Sequence, residues 1–224
     1  MTIEQFKRLK EALQNFKNKK WKLFKIFSLL IAFIVGISTL FYTIPSESVG
    51  IVLRFGQYSS TTEPGLHLKV PFFIDQVVKV PVRRQLKQEF GFGTAGATNY
   101  YQSSSPNTQE AEKSMVTGDS NVALVEWVVQ YKIKDPKEYL FQVRNPDETL
   151  RDTSESIMRE VVGDRTVDEV ITFGRQEIEV EAKTKLQSLV NKYEMGIGID
   201  LIQLKSVNAP REVQASFNEV ESAK

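Results

Sequence analysis

Ile26–Ile44 reads IFSLLIAFIVGISTLFYTI, a run without one charge between Lys25 and Pro45. As an α-helix it would be about 28 Å long, close to the thickness of a bilayer's hydrocarbon core. Most of its residues are Ile, Leu, Phe or Val, and side chains of that kind favour insertion by at most roughly 4 to 7 kcal/mol in sum. No polar stripe runs along it, as the wet face of a soluble helix would require. The stretch is therefore predicted to cross a membrane once. Ile26, Phe33, Ile37 and Ile44 would lie in the anchor, with Trp21 and Tyr42 near its two ends at headgroup depth.

Orientation follows from the flanks. Residues 1–25 form a basic arm, in which Lys7, Arg8, Lys10, Lys17, Lys19, Lys20, Lys22 and Lys25 face only Glu4 and Glu11. The positive-inside rule keeps such an arm in the cytoplasm and puts everything after Pro45 on the other side. A cleaved signal peptide fits less well, because the apolar run is long and no A-x-A site follows it. Ile3, Phe6, Leu9, Leu13 and Phe16 recur at helical spacing within the arm. An amphipathic helix lying on the leaflet and a plain solvated tail both accommodate that pattern. The chain as a whole has a net charge of +1, so the part beyond the arm is acidic, which argues against nucleic acid as the main partner. There is no cysteine, which removes disulfides, thiolate metal sites and a Cys nucleophile.

The remainder is expected to fold as α+β. Residues 45–134 read as a strand-rich first half. Val49, Ile51, Leu53 and Phe55 alternate with other residues until Gly56, and Leu66, Leu68 and Val70 alternate after a Pro64-Gly65 turn, suggesting a hairpin of these two strands. Val78, Val80 and Val82 make a further strand, with Pro81 placing it at an edge. Between them Phe72, Phe73 and Ile74 either touch the membrane surface or fill the core. Residues 91–113 lose apolar periodicity and read as a flexible loop. The G-x-G-x-x-G spacing of Gly91, Gly93 and Gly96 has neither the preceding strand nor the following helix of a dinucleotide site. Val122 to Ile133 is the clearest strand, apolar enough on both sides to be an interior one.

Residues 135–208 read as a helix-plus-strand half. Asn145-Pro146, followed by Asp147 and Glu148, starts a helix that Gly163 stops. Thr166 and Glu169 form a capping box for a short helix. Arg175 to Tyr193 is amphipathic, and its charged face, Arg175, Lys183 and Lys185 with Glu177, Glu179 and Glu181, is either a subunit-pairing surface or simply solvated. Ile197 to Val207 is a last strand that changes face between Leu201 and Ile202, which suggests a bulge. Residues 209–224 open a helix in which Val213, Phe217 and Val220 have coiled-coil spacing, making them candidate oligomer contacts.

No catalytic, cofactor or metal residues are predicted. His67 has no second His or Cys to share a metal with. H-E-x-x-H, G-x-S-x-G and G-x-x-x-x-G-K-[ST] are all missing from the sequence. A role as an enzyme therefore lacks a nucleophile–base pair, and a binding or scaffolding role is expected.

The ordered series SVGIVLRFG, EPGLHLKVP, MVTGDSNVALVEWVVQYKIKDPKEYLF, PDETLRDTSESIMREVVG, GRQEIEVEAKTKLQ and YEMGIGIDLIQLKSVNAPREVQASFNEV resembles the stomatin/prohibitin/flotillin/HflK-HflC superfamily, whose shared module is the SPFH or band 7 domain. Within it the HflK group is the nearest in appearance. That resemblance implies a band 7 domain after one transmembrane helix, continued by a long coiled-coil helix. It further implies a bacterial inner-membrane location with the N-terminus cytoplasmic and the main domain periplasmic. The implied partners are lipid, an HflC-like paralogue and the FtsH protease, whose access to substrates an oligomer of this kind would control. A stomatin-like membrane organiser without a protease partner is the alternative, and a protease the weakest one.

Overall fold

The computed structural model describes residues 21, 24–31, 33–94 and 105–210. They fall into two compact units, Met1–Lys79 and Val80–Lys224. Sequence reading placed the division near residue 134, but the long strand that ends there is the centre of the sheet on which the helices pack, so it belongs with them.

The first unit begins with helical residues 24–31 and 33–40, together called α1. Five strands follow: β1 (Phe41–Ile44), β2 (Val49–Arg54), β3 (Gln57–Thr62), β4 (Gly65–Leu68) and β5 (Asp75–Val80). Phe41–Ile44, expected as the last turn of a membrane helix, is thus a strand. It pairs antiparallel with β4 in the register Phe41↔Leu68 to Ile44↔Gly65, and the Lys69 N–H donates to the Leu40 carbonyl at 2.8 Å. Among the described residues no helix is long and apolar enough to cross a membrane. The expected hairpin of 49–55 with 66–70 is replaced by β2 with β3, and β5 joins β2 from the other side. Gln57–Thr62 is QYSSTT, which has no apolar alternation to betray a strand.

The second unit holds β6 (Leu86–Phe90), α2 (Pro106–Lys113), β7 (Ser114–Val116), β8 (Val122–Ile133), α3 (Pro136–Phe141), α4 (Pro146–Gly163), α5 (Val167–Ile171), α6 (Arg175–Lys192) and β9 (Ile197–Asn208). β6 and β7 pair along one side of β8, and β9 along Leu124–Ile133 on the other, all antiparallel. Ala123, Val125, Trp127, Val129, Tyr131 and Ile133 are buried on one face of β8, together with Leu150, Met158, Val161, Ile178, Ala182, Leu186 and Val190 of the helices. The opposite face of β8 buries only Val128, so the sheet is covered on one side, as antiparallel sheets often are. β8 is an interior strand, as expected, but the expected cover on its second face is not there.

Local signals explain the helices. Pro146 fills the first position of α4, where its missing N–H costs nothing, and Asp147 and Glu148 suit the positive end of the helix. The Thr166–Glu169 capping box is formed in both directions. β9 has two irregularities, one where Gln130 faces Leu201 and Tyr131 faces Ile199, another at Lys205. The first is the predicted face change, displaced by about one residue.

α2 overturns part of the predicted loop over 91–113; residues 95–104 of that loop lie outside the described residues. Arg151 reaches α2 from α4 and donates to Glu112 Oε1 through Nε at 3.0 Å, and to the Glu89 carbonyl at 3.1 Å. Its guanidinium lies 4.4 Å from the Phe90 ring, which stacks on Trp127 at 4.5 Å. The Gly91 N–H donates to the second Glu112 oxygen. A buried pair so fully hydrogen-bonded holds a segment whose own composition is polar.

Candidate membrane-facing surface

α1 is apolar and exposed around most of its girth: Phe24, Ile26, Phe27, Leu29, Leu30, Phe33, Ile34 and Ile37 all lie open. The hydroxyls of Ser38 and Thr39, near its end, turn inward. Ser38 Oγ donates to the Val35 carbonyl at 2.9 Å, and Thr39 Oγ1 to the same carbonyl at 3.0 Å. Helix hydroxyls bonded to their own backbone need no water. At the other end Lys25 Nζ sits 5.8 Å from the ring of exposed Trp21.

The apolar surface continues into the strands. On one face of the β1–β4 ribbon, Phe41 lies opposite Leu68 and Thr43 opposite Leu66, and the three apolar side chains are exposed. On the other face Tyr42 meets His67 at 5.7 Å between ring centroids. Tyr42 donates to Thr62 Oγ1 at 3.2 Å and Ile44 is buried in the strand core, so these two are not parts of an apolar helix. His67 Nε2 lies 2.7 Å from the Glu63 carbonyl; a carbonyl only accepts, so that nitrogen carries the proton.

Three phenylalanines occupy turns where phenylalanine is uncomfortable. Phe55 and Gly56 form the two-residue link between Arg54 and Gln57, with φ of 51° and 83°, a turn that ordinarily takes Asn-Gly. Phe72 and Phe73 have φ of 62° and 63°. Each such residue costs roughly 1–2 kcal/mol against its relaxed backbone, yet Phe55 is 82% and Phe73 87% exposed, with Phe72 also open and Ile74 half-buried. The two turns adjoin, because the Phe55 N–H donates to the Ile74 carbonyl at 3.0 Å. Asp75 locks them. Arg54 donates to both its oxygens at 2.9 and 3.2 Å, and the Val70 N–H donates to Oδ2 at 2.9 Å. The Arg54 hydrogen bond, then the Val70 amide, hold the Asp75 carboxyl below the usual carboxylate range.

Of the residues predicted to meet the membrane, Trp21, Ile26, Phe33, Ile37, Phe72 and Phe73 are exposed here, which removes the alternative that the two rings fill the core. Phe55, Leu66 and Leu68 are exposed as well but were not singled out from the sequence. Alternation along a strand names two faces without saying which is wet. Val213, Phe217 and Val220 lie outside the described residues.

In the second unit, the charged face of α6 is neither free nor simply solvated. Arg165 donates to Glu177 and Glu181 at 3.2 and 2.8 Å, and Lys185 pairs with Glu160 and Glu181 at 2.8 and 3.1 Å. Lys185, then Arg165, hold the Glu181 carboxyl low. At the start of α4, Tyr131 and Tyr139 each donate to a different oxygen of Asp147 at 2.8 Å, and burial, reinforced by that carboxylate, pushes the Tyr131 phenol up. Among the described residues no cluster of three His, Cys, Asp or Glu side chains is placed to hold a metal ion.

The chain is 38% identical to Protein HflK of Treponema pallidum (strain Nichols) over 192 residues, which are 85% of this chain and 58% of that protein. It is 32% identical to Protein HflK of Borreliella burgdorferi, over 88% of this chain and 62% of the relative. The Escherichia coli (strain K12) protein named Modulator of FtsH protease HflK is 34% identical over 82% of this chain and 39% of its own length. The chain thus spans two fifths to three fifths of these relatives. Residues 42–224, nearly everything after α1, match the SPFH domain / Band 7 family, and the chain belongs to that family.

Proposed function

We propose that this chain is a membrane-anchored scaffold subunit that joins an HflC-like partner and regulates an FtsH-type protease by limiting which substrates reach it. α1 is read as part of a single pass through a bacterial inner membrane, the lysine-rich arm cytoplasmic and the strands and helices after α1 on the far side. The observation that carries the membrane half of this reading is the trio Phe55, Phe72 and Phe73. A turn facing water would relieve its left-handed backbone with Gly or Asn. Keeping three large rings there makes sense where the surroundings are apolar. The protease half is supported by the name of the E. coli relative. No chemistry is assigned to the chain; control is steric, through many weak contacts between neighbours.

Extraction in mild detergent of the tagged chain tests it. Co-purification of an HflC-like protein and FtsH in one large complex is the expected result. A large complex holding neither would favour the lipid-organising alternative. A monomer that leaves the membrane fraction at alkaline pH would end the membrane reading as well.

A further inference from the structure

Among the described residues β9 has one strand neighbour, β8, and its other edge is met by α6. Four side chains at a spacing of four, Arg175, Glu179, Lys183 and Gln187, reach it. Gln187 Oε1 accepts from the Ile199 N–H at 2.7 Å, and its Nε2 donates to the Ile197 carbonyl at 3.3 Å. Lys183 donates to the Asp200 carbonyl at 2.7 Å, and Glu179 Oε1 accepts from the Leu204 N–H at 2.8 Å. Arg175 Nη2 donates to the Leu204 and Lys205 carbonyls at 3.2 and 3.4 Å.

Residues four apart lie along one line of a helix, about 6 Å per step, close to the roughly 6.7 Å that a strand takes to present the same edge again. One ridge of α6 therefore meets backbone donors and acceptors at two places on the β9 edge, Ile197–Asp200 and Leu204–Lys205. The side chains engaged are of both signs and neutral, matched group by group to carbonyls and amides. That separates this ridge from Glu177, Glu181 and Lys185, which pair with other side chains.

We propose that the Arg175–Glu179–Lys183–Gln187 ridge is an autoinhibitory contact. It occupies a strand edge that would otherwise pair with the same edge of a second copy of this chain. A twelve-residue strand edge, left open, is a template for another strand. Among identical chains its commonest partner is itself, in a two-fold antiparallel pair that closes. With the ridge in place, copies have to meet through other surfaces.

The sequence has no cysteine, so Gln203→Cys on exposed β9 introduces a single thiol. The full chain in detergent carrying Q203C is compared with Q203C combined with Glu179→Ala, Lys183→Ala and Gln187→Ala, using a short bis-maleimide. With helix content retained, the combined variant is expected to give at least about fivefold more cross-linked dimer. Unchanged cross-linking in the folded variant overturns the proposal. So does an equal rise in an off-ridge control, Glu177→Ala. Should the triple change prevent folding, Lys183→Met with Gln187→Met keeps the stems and removes the polar heads, and is read by the same two outcomes.

Discussion

The Phe72 ring rests on Gly36: a Cβ on that glycine would stand 3.2 Å from the ring's Cζ. Gly36 is one helical turn before Leu40, so a ring from the β4–β5 connection reaches about 6 Å back along α1. Any larger residue at 36 has to push that ring aside. Gly36→Leu is expected to move the turn off the helix while leaving the second unit intact. Quenching of a Phe72→Trp reporter by brominated lipid, weaker in the G36L background, checks it. Equal quenching in both would show that the contact does not position the loop.

Asp75 makes the same turns sensitive to acid. Its folded-state carboxyl is held low by Arg54 and Val70, so the stabilisation is fully present above the ordinary carboxylate value and is lost as pH falls through the lowered one. Chymotrypsin does not work in that window, so pepsin cleavage after Phe72 or Phe73 is the measurement. The cleavage rate, corrected with an unstructured substrate, should rise as pH drops below the ordinary carboxylate range. Asp75→Asn should show the fast rate throughout and no pH step.

Arg151 and Glu112 form the most enclosed ion pair among the described residues, their side chains 10% and 7% exposed. Removing one partner strands the other, so Arg151→Ala should lower stability by about 3–5 kcal/mol. Arg151→Met with Glu112→Leu should recover much of that loss. Urea unfolding of the three proteins decides it; a double variant no better than R151A would show that the pair's hydrogen bonds to Glu89 and Gly91 matter more than its charges.

Core and surface of α6 should separate cleanly. Leu186 is fully buried and Thr184 exposed two residues away. Leu186→Ala is expected to cost about 2–5 kcal/mol, and Thr184→Ala less than about 0.5 kcal/mol. Similar unfolding midpoints for the two variants would contradict the packing described.

Features written in short segments of sequence were legible: the Pro146 start and Gly163 stop of α4, the Thr166–Glu169 box, the apolar period of α6 and the face change in β9. What depended on distant partners was not. α2 is held by Arg151, far along the chain from Glu112. Phe41–Ile44 leaves the helix because β4 offers it a ladder, which an apolar run cannot announce. β3 carries only polar and aromatic residues, so its pairing with β2 follows from the Phe55-Gly56 turn alone. On the candidate surface, Phe72 and Phe73 drew attention because they stand outside any strand pattern. Phe55 was absorbed into one. The charged stripe on α6 was seen, but its intramolecular partners sit on β9, α4 and the segment before α5, which no spacing rule connects to it.

The junction at Leu40 and Phe41 has no slack. Helix gives way to strand between adjacent residues, and the Lys69 amide fastens the last helical carbonyl to the far side of the ribbon. A rod joined to a plate in this way works as a crank: turning or tilting α1 must swing the β1–β4 ribbon through the same angle, since no loop is there to absorb it. Any force that reorients the rod is thereby passed on to the strands as a rotation.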